Sequence, residues 1–140
     1  MTTIDPISAT TAGVLSGAAA LHVAWGLGST WPFPNTAALA DTVVGSASVP
    51  PPQACFAVAG ALGTAAALVL GFPPQLPHLR KAGQLGVALV LGTRAALGFA
   101  GRTDRVSPGS ESPQFQYWDR RLFSPLCLAL AAGAVHSLTR

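Results

Sequence analysis

Charge is what this chain lacks most. Only 9% of its 140 residues are Asp, Glu, Lys or Arg, against about a quarter in an ordinary water-soluble domain. So few charges cannot coat a water-facing surface, and half of the residues are apolar. Cysteine is nearly absent: Cys55 and Cys127 are the only two. That excludes a disulfide-rich scaffold and a four-cysteine metal site. Without Cys-x-x-Cys, dithiol redox chemistry has no motif. Neither Gly-x-x-x-x-Gly-Lys nor a strand-linked Gly-x-Gly-x-x-Gly occurs, which removes the usual nucleotide sites. The net charge of +3 comes from scattered basic residues. No Lys/Arg run with interleaved aromatics is present, so nucleic acid is not an expected partner. The start carries no charged leader and no convincing cleavage site, and the first apolar run reads as a retained span.

What is present is four apolar runs: Thr11 to Ser29, Gln53 to Gly71, Ala82 to Gly101 and Leu122 to Leu138. A hydrocarbon core of ~30 Å needs ~20 such residues in a helix. The fourth run is slightly short, so it tilts little or begins inside the preceding loop. The expectation is an all-α bundle of four transmembrane helices forming one integral membrane domain over residues 1–140. Its first partner is the lipid bilayer of the cell membrane. A soluble bundle would carry charge on its outer faces, and the first two runs carry none. Gly13-x-x-x-Gly17, then Ala20, Ala24 and Gly28, form a small-residue ridge, and Gly60, Gly63 and Thr64 form another. Such ridges let helices approach closely, within the chain or against a second copy or membrane partner.

Between the runs, Met1 to Thr10 is polar and is expected to fray. Thr30 to Pro52 is Pro-rich, with Trp31 and Phe33 where interfacial aromatics belong. Within it, Thr36 to Val44 predicts a short surface helix whose only charge is Asp41. Phe72 to Lys81 reads as a turn and Arg102 to Arg121 as a long polar loop. Four spans place Arg80, Lys81 and Arg140 on one side and Arg102, Arg105, Arg120 and Arg121 on the other. These are nearly balanced. If the loop arginines are discounted as functional, the termini are cytoplasmic.

The residues that are costly in a bilayer are the informative ones. Arg94 lies about two turns before Gly101, roughly 10 Å below the long-loop face. An arginine there costs ~2.5–3.5 kcal/mol and faces the bundle interior, a partner or a water cavity. His22 lies at a similar depth, with Trp25 on the same helix face. Cys55, Ser124 and Cys127 belong to the same layer, nearest the two long loops. The opposite half is almost wholly Ala, Val, Leu, Gly and Thr. This asymmetry predicts a pocket opening toward the first and third loops, with Asp41, Asp104, Asp119, Tyr117 and Trp118 at its mouth. Each residue also has a structural reading. Arg94 can clasp Asp41, Asp104 or Asp119. His22 can bond a backbone carbonyl. Asp119 can favour a helix N-terminus. The cysteines can be small apolar fillers.

No cofactor is expected. His136 lies roughly 21 Å from the loop face, too far from His22 in depth for a haem held by both. Clustered zinc ligands are missing, and no inverted repeat suggests a transporter.

The pattern Leu21-His22-Val23-Ala24-Trp25-Gly26-Leu27-Gly28 with Trp31-Pro32, then Gly92-Thr93-Arg94, then Arg121-Leu122-Phe123-Ser124-Pro125-Leu126-Cys127-Leu128, resembles a bacterial family of small four-span membrane proteins of unknown function. The resemblance implies a compact four-helix membrane bundle and supplies no activity. Two functions then stand. One is binding or transformation of a lipophilic small molecule, isoprenoid- or lipid-like. His22, Arg94, Asp41, Asp104 and Asp119 would serve acid/base chemistry such as isomerisation, cyclisation or epoxide opening. Trp25, Trp31, Tyr117, Trp118, Arg120, Arg121, Ser124 and Cys127 would contact the ligand. The other is a non-catalytic accessory or scaffold subunit of a membrane complex. A cavity reaching both His22 and Arg94 favours the first; a solid bundle with both fully paired favours the second.

Overall fold

Proline placement sets the helix starts. A computed structural model describes residues 3–140. It has helices α1 (Pro6–Gly26), α2 (Thr36–Leu39), α3 (Pro52–Val69), α4 (Pro77–Phe99), α5 (Pro113–Trp118) and α6 (Ser124–Ser137). Five of the six carry Pro in the first turn, where a missing N–H costs no helical bond and the fixed φ suits the helix. No strand occurs among the described residues.

The ends are capped by local chemistry. Asp5 Oδ1 accepts from Ser8 N (3.0 Å) ahead of α1, Asn35 Oδ1 from Ala38 N (2.9 Å) ahead of α2, and Ser112 Oγ from Phe115 N (3.1 Å) ahead of α5. Each satisfies a donor that the first helical turn leaves open. Two expectations change here. The Asp5 cap starts α1 at Pro6, so the polar segment predicted to fray is helical from Pro6 onward. Pro77 starts α4 inside the stretch read as a turn, so Arg80 and Lys81 are helical.

Two π-helical turns extend short helices. Ala40–Val44 continues α2, so the predicted segment Thr36 to Val44 is helical throughout. Asp119–Phe123 joins α5 to α6. Pro125 explains the second: its ring displaces the carbonyl four residues earlier and supplies no N–H. The helix widens, and Ser124 N donates to Asp119 O instead. The helix that carries the fourth apolar run is therefore continuous with α5, which starts at Pro113 inside the preceding loop.

The long helices pair as α1 with α3 and α4 with α6. The pairs join through α1 with α6 and α3 with α4. Ala12, Leu15, Ala65, Ala66, Val69, Ala88, Leu130 and Ala134 form the core. All belong to the half holding the chain termini and the α3–α4 turn. The outward faces are apolar: Val14, Phe56, Leu85, Leu89, Val90, Leu128 and Val135 are all exposed. α1, α3 and α4 are each long and apolar enough to cross a membrane. α6 has only 14 residues, which is ~21 Å of helix. The structure thus shows an all-helical chain with three helices of spanning length.

Candidate functional site

Arg94 is answered by one carboxylate. Its Nη2 donates to Asp119 Oδ1 at 2.7 Å. Of the three aspartates that could clasp it, the π turn selects Asp119. The widened turn directs that side chain inward, to 2% exposure, while Arg120 and Arg121 stay exposed. Asp119 Oδ1 also accepts from Ser124 Oγ at 3.2 Å, and Oδ2 accepts from Thr103 Oγ1. Both carboxylate oxygens are therefore engaged, as a buried charge requires. Arg94 Nη1 is buried without a partner, close against Gly98, where a Cβ would lie 2.8 Å from it and would collide with Ser124 Oγ. Glycine at 98 is what lets α4 and α6 approach around the pair.

Beside this pair lies a cavity of about 440 Å³, at the small end of ligand sites. α1 contributes His22 and Trp25, α3 contributes Ala54, Cys55 and Val58, and α4 contributes Arg94. The loops supply the rest, including Leu39, Val43 and Val44 from the α2 segment and Thr103, Ser107, Ser110 and Phe115 from the third loop. The cavity thus sits at the long-loop end.

His22 has a defined tautomer. Its Nδ1 lies 2.8 Å from Ala18 O. A carbonyl only accepts, so Nδ1 carries the proton and Nε2 of the neutral ring is an acceptor. Trp25 stands edge-on to the imidazole, 5.0 Å between ring centroids. Trp25 Nε1 donates to Trp31 O at 2.8 Å, which ties the first loop to α1.

The two loops are stitched together over the cavity. Ser110 Oγ donates to Val44 O (2.6 Å) and Ser112 Oγ to Asp41 O (2.7 Å). The backbone N–H groups of Glu111 and Ser112 both donate to Gly45 O at 3.0 Å. Gly45 has φ 80° and ends the α2 segment, and the Phe115 ring occupies the space a Cβ would need. Both the backbone conformation and this contact require glycine.

Of the residues singled out in the sequence, His22, Trp25, Cys55 and Arg94 line the cavity, with Asp119 and Ser124 directly behind Arg94. The others are not brought to it. Asp41 lies exposed on the α2 segment and takes part through its backbone carbonyl. Asp104 is half-buried in a 3-10 turn and does not line the cavity. Trp31 is exposed. Tyr117 and Arg121 pair with each other on the outer surface, the guanidinium 4.3 Å from the ring centre; Trp118 stacks edge-on to Tyr117, and Arg120 is exposed. Charged groups stay outward because burying them unpaired is costly. Cys127 is half-buried and does not line the cavity, and both cysteines are free thiols. Sequence reasoning missed Thr103, Ser107, Ser110 and Phe115. The serines flanking Pro108 and Gly109 were the available signal, because short hydroxyl side chains favour loop-to-backbone bonds. Among the described residues, no three His, Cys, Asp or Glu side chains converge as metal ligands.

Residues 15–134 match the family described as Protein of unknown function (DUF3995). No curated protein and no solved structure matches the chain. The match covers most of the sequence, and the chain belongs to that family.

Proposed function

We propose that this family member is a four-span membrane protein that binds, and by acid/base chemistry can transform, a lipophilic small molecule in the loop-end cavity. One observation carries the reading: a single cavity is lined by both His22 and Arg94. A fourth crossing is built from the α5–α6 helix, continuous from Pro113 to Ser137 through the π turn. Its length of ~38 Å exceeds a hydrocarbon core of ~30 Å.

Roles follow from the geometry. His22 Nε2 is the proton acceptor, since Nδ1 is committed to Ala18 O. The Arg94–Asp119 pair sets the polar end of the cavity without leaving a net charge. Trp25 and Phe115 supply flat apolar wall. Asp119 is engaged by three donors, so it is a positioning residue for Arg94. Asp41 and Asp104, away from the cavity, have no part in this reading.

A second reading has its own support. Gly13, Gly17, Gly60 and Gly63 face open space, leaving small-residue ridges on α1 and α3 that a second copy or another membrane subunit would fit. Native mass spectrometry after gentle extraction separates the two. Wild type is compared with His22→Ala and with Ala54→Trp, which fills the cavity. A small lipophilic molecule held by wild type and lost from both variants is the expected result. An empty wild type that carries a protein subunit, unaffected by either change, would overturn it in favour of the accessory role.

A further inference from the structure

We infer that the cavity takes an uncharged lipophilic molecule whose polar end is a hydroxyl group donating to Nε2 of His22. The inference rests on the cavity being a ligand site and names the class of ligand.

Charge comes first. Among the described residues Arg94 is the only Asp, Glu, Lys or Arg that lines the cavity, and Asp119 answers it at 2.7 Å. A carboxylate or phosphate head group would have to displace Asp119 or sit beside it. Either is costly where water is scarce and like charges are poorly screened. A cationic head group fares no better, because both Asp119 oxygens are already engaged.

Hydrogen-bond accounting narrows the class further. Most donors in the lining are spent inside the protein, and Arg94 Nη1, which has no partner, is itself buried. Thr103 donates to Asp119, Thr30 to Phe33 O and Trp25 Nε1 to Trp31 O. Ser110 gives its proton to Val44 O, so in the Ser107–Ser110 contact Ser107 is the donor. Only Ser29 and Thr36 keep free hydroxyl protons, and both are exposed. His22 Nε2 is the reverse case. It is an acceptor with no partner in the protein, it is not among the buried polar atoms, and its residue lines the cavity. An acceptor left open beside apolar wall is stabilised by a donor. A hydroxyl supplies one without adding charge.

The body of the ligand follows from the wall. Leu39, Val43, Val44, Val49, Val58 and Phe115 offer apolar contact and no selective polar group. The volume of about 440 Å³ is at the small end of ligand sites, which suits a small lipophilic molecule.

The test is equilibrium binding to the full chain in phosphatidylcholine nanodiscs, referenced to protein-free discs. The probes are dodecanol, its methyl ether, dodecanoic acid at neutral pH, and dodecane. Wild type is expected to hold the alcohol about five- to tenfold more tightly than the ether, the net worth of one hydrogen bond. His22→Phe keeps the ring volume and abolishes this preference. His22→Gln, whose amide oxygen accepts, restores part of it. A cooperative melting transition like that of wild type serves as the check that His22→Phe still folds. Equal binding of alcohol and ether by wild type would overturn the inference, as would tighter binding of the acid, or a preference that survives in His22→Phe. If no probe binds wild type better than Ala54→Trp, the ligand-site reading itself falls, and this inference with it.

Discussion

The two ends of this bundle solve opposite packing problems. At the terminal end, small side chains close the space: Ala12, Ala65, Ala66, Ala88 and Ala134 pack around Leu15, Val69 and Leu130. Gly133 lets α6 meet Thr11 of α1, leaving no room for a Cβ. At the loop end the helices keep an ion pair, buried at Asp119 and half-buried at Arg94, and a cavity instead of closing. An apolar small-residue core gains from contact density, which a bilayer cannot supply through the hydrophobic effect between helices. An ion pair and an open cavity gain nothing comparable, and a buried pair is weak evidence for stability. The loop end is therefore built at a cost that function explains better than folding does.

The sharpest test of that contrast is the ion pair. Asp119→Ala leaves Arg94 within the bundle without its counter-charge and strips partners from Thr103 and Ser124. The expected loss is about 3 kcal/mol or more, read from unfolding in detergent. The double variant Arg94→Met, Asp119→Leu should recover most of it, because the pair is then removed as a unit. A double variant as unstable as the single one would show that the pair is needed for folding, and the contrast between the ends would break.

Glycine contacts test the two ends side by side. Alanine at 133 would place a Cβ 2.8 Å from Thr11 Cγ2, and alanine at 98 would press on Ser124 and Arg94. Each should cost about 1–3 kcal/mol through overpacking. The consequences should differ. Gly133→Ala acts on the closed end and leaves ligand retention intact. Gly98→Ala shifts Arg94 and lowers it. Equal effects on retention would mean that the two ends are coupled, not separate.

This division was largely legible in the sequence, because cost in a bilayer marks the unusual residues. Helix content and the α2 segment followed from hydropathy; the expected layer also held Ser124 and Cys127, which do not line the cavity that His22, Trp25, Cys55 and Arg94 share. What was not legible is the direction of each side chain in the irregular segments. Asp119 read as a helix-start charge at a loop mouth or as one of three aspartates that could clasp Arg94, with nothing to choose among them. Its inward turn depends on the π turn that Pro125 forces, and a regular 3.6-residue helix does not predict that turn. Asp41 and Tyr117 read as mouth residues for the same reason: loop residues can be placed at an end, but not aimed. Ser110 was invisible because its role is to bond another loop's backbone, a long-range pairing with no sequence period, and Ser107 acts only through Ser110.

The terminal half was also less uniform than its composition implied. Gln84 is buried there at 2% exposure, its Nε2 on Leu68 O at 2.8 Å and its Oε1 without a partner. Leu68 O already accepts from Gly71 N. Gln84→Met should therefore change stability by less than about 1 kcal/mol, since it removes an unsatisfied acceptor along with one redundant bond. A large loss would mean that this amide organises the closed end, and that polar packing is not confined to the loop end.

The smallest expected effect lies at the terminal edge. Asp5 joins α1 to α6: it caps α1 through Ser8 and meets His136 Nε2 at 3.0 Å. Hydrogen bonds from Ser8, helped by His136 and Arg140, hold its carboxyl well below the usual carboxylate range. A depressed folded value means that the carboxylate's contribution is complete above the unfolded value of ~4. It fades as pH falls from there through the lower folded value. Wild type should thus exceed Asp5→Asn in melting temperature by a constant margin from neutral pH to about 5, with the margin shrinking below ~4. Ligand retention should follow neither the substitution nor the pH change, because Asp5 and the cavity lie at opposite ends. A parallel loss of ligand would instead make the Asp5–His136 clamp a control on the loop-end site, joining the two halves that the packing separates.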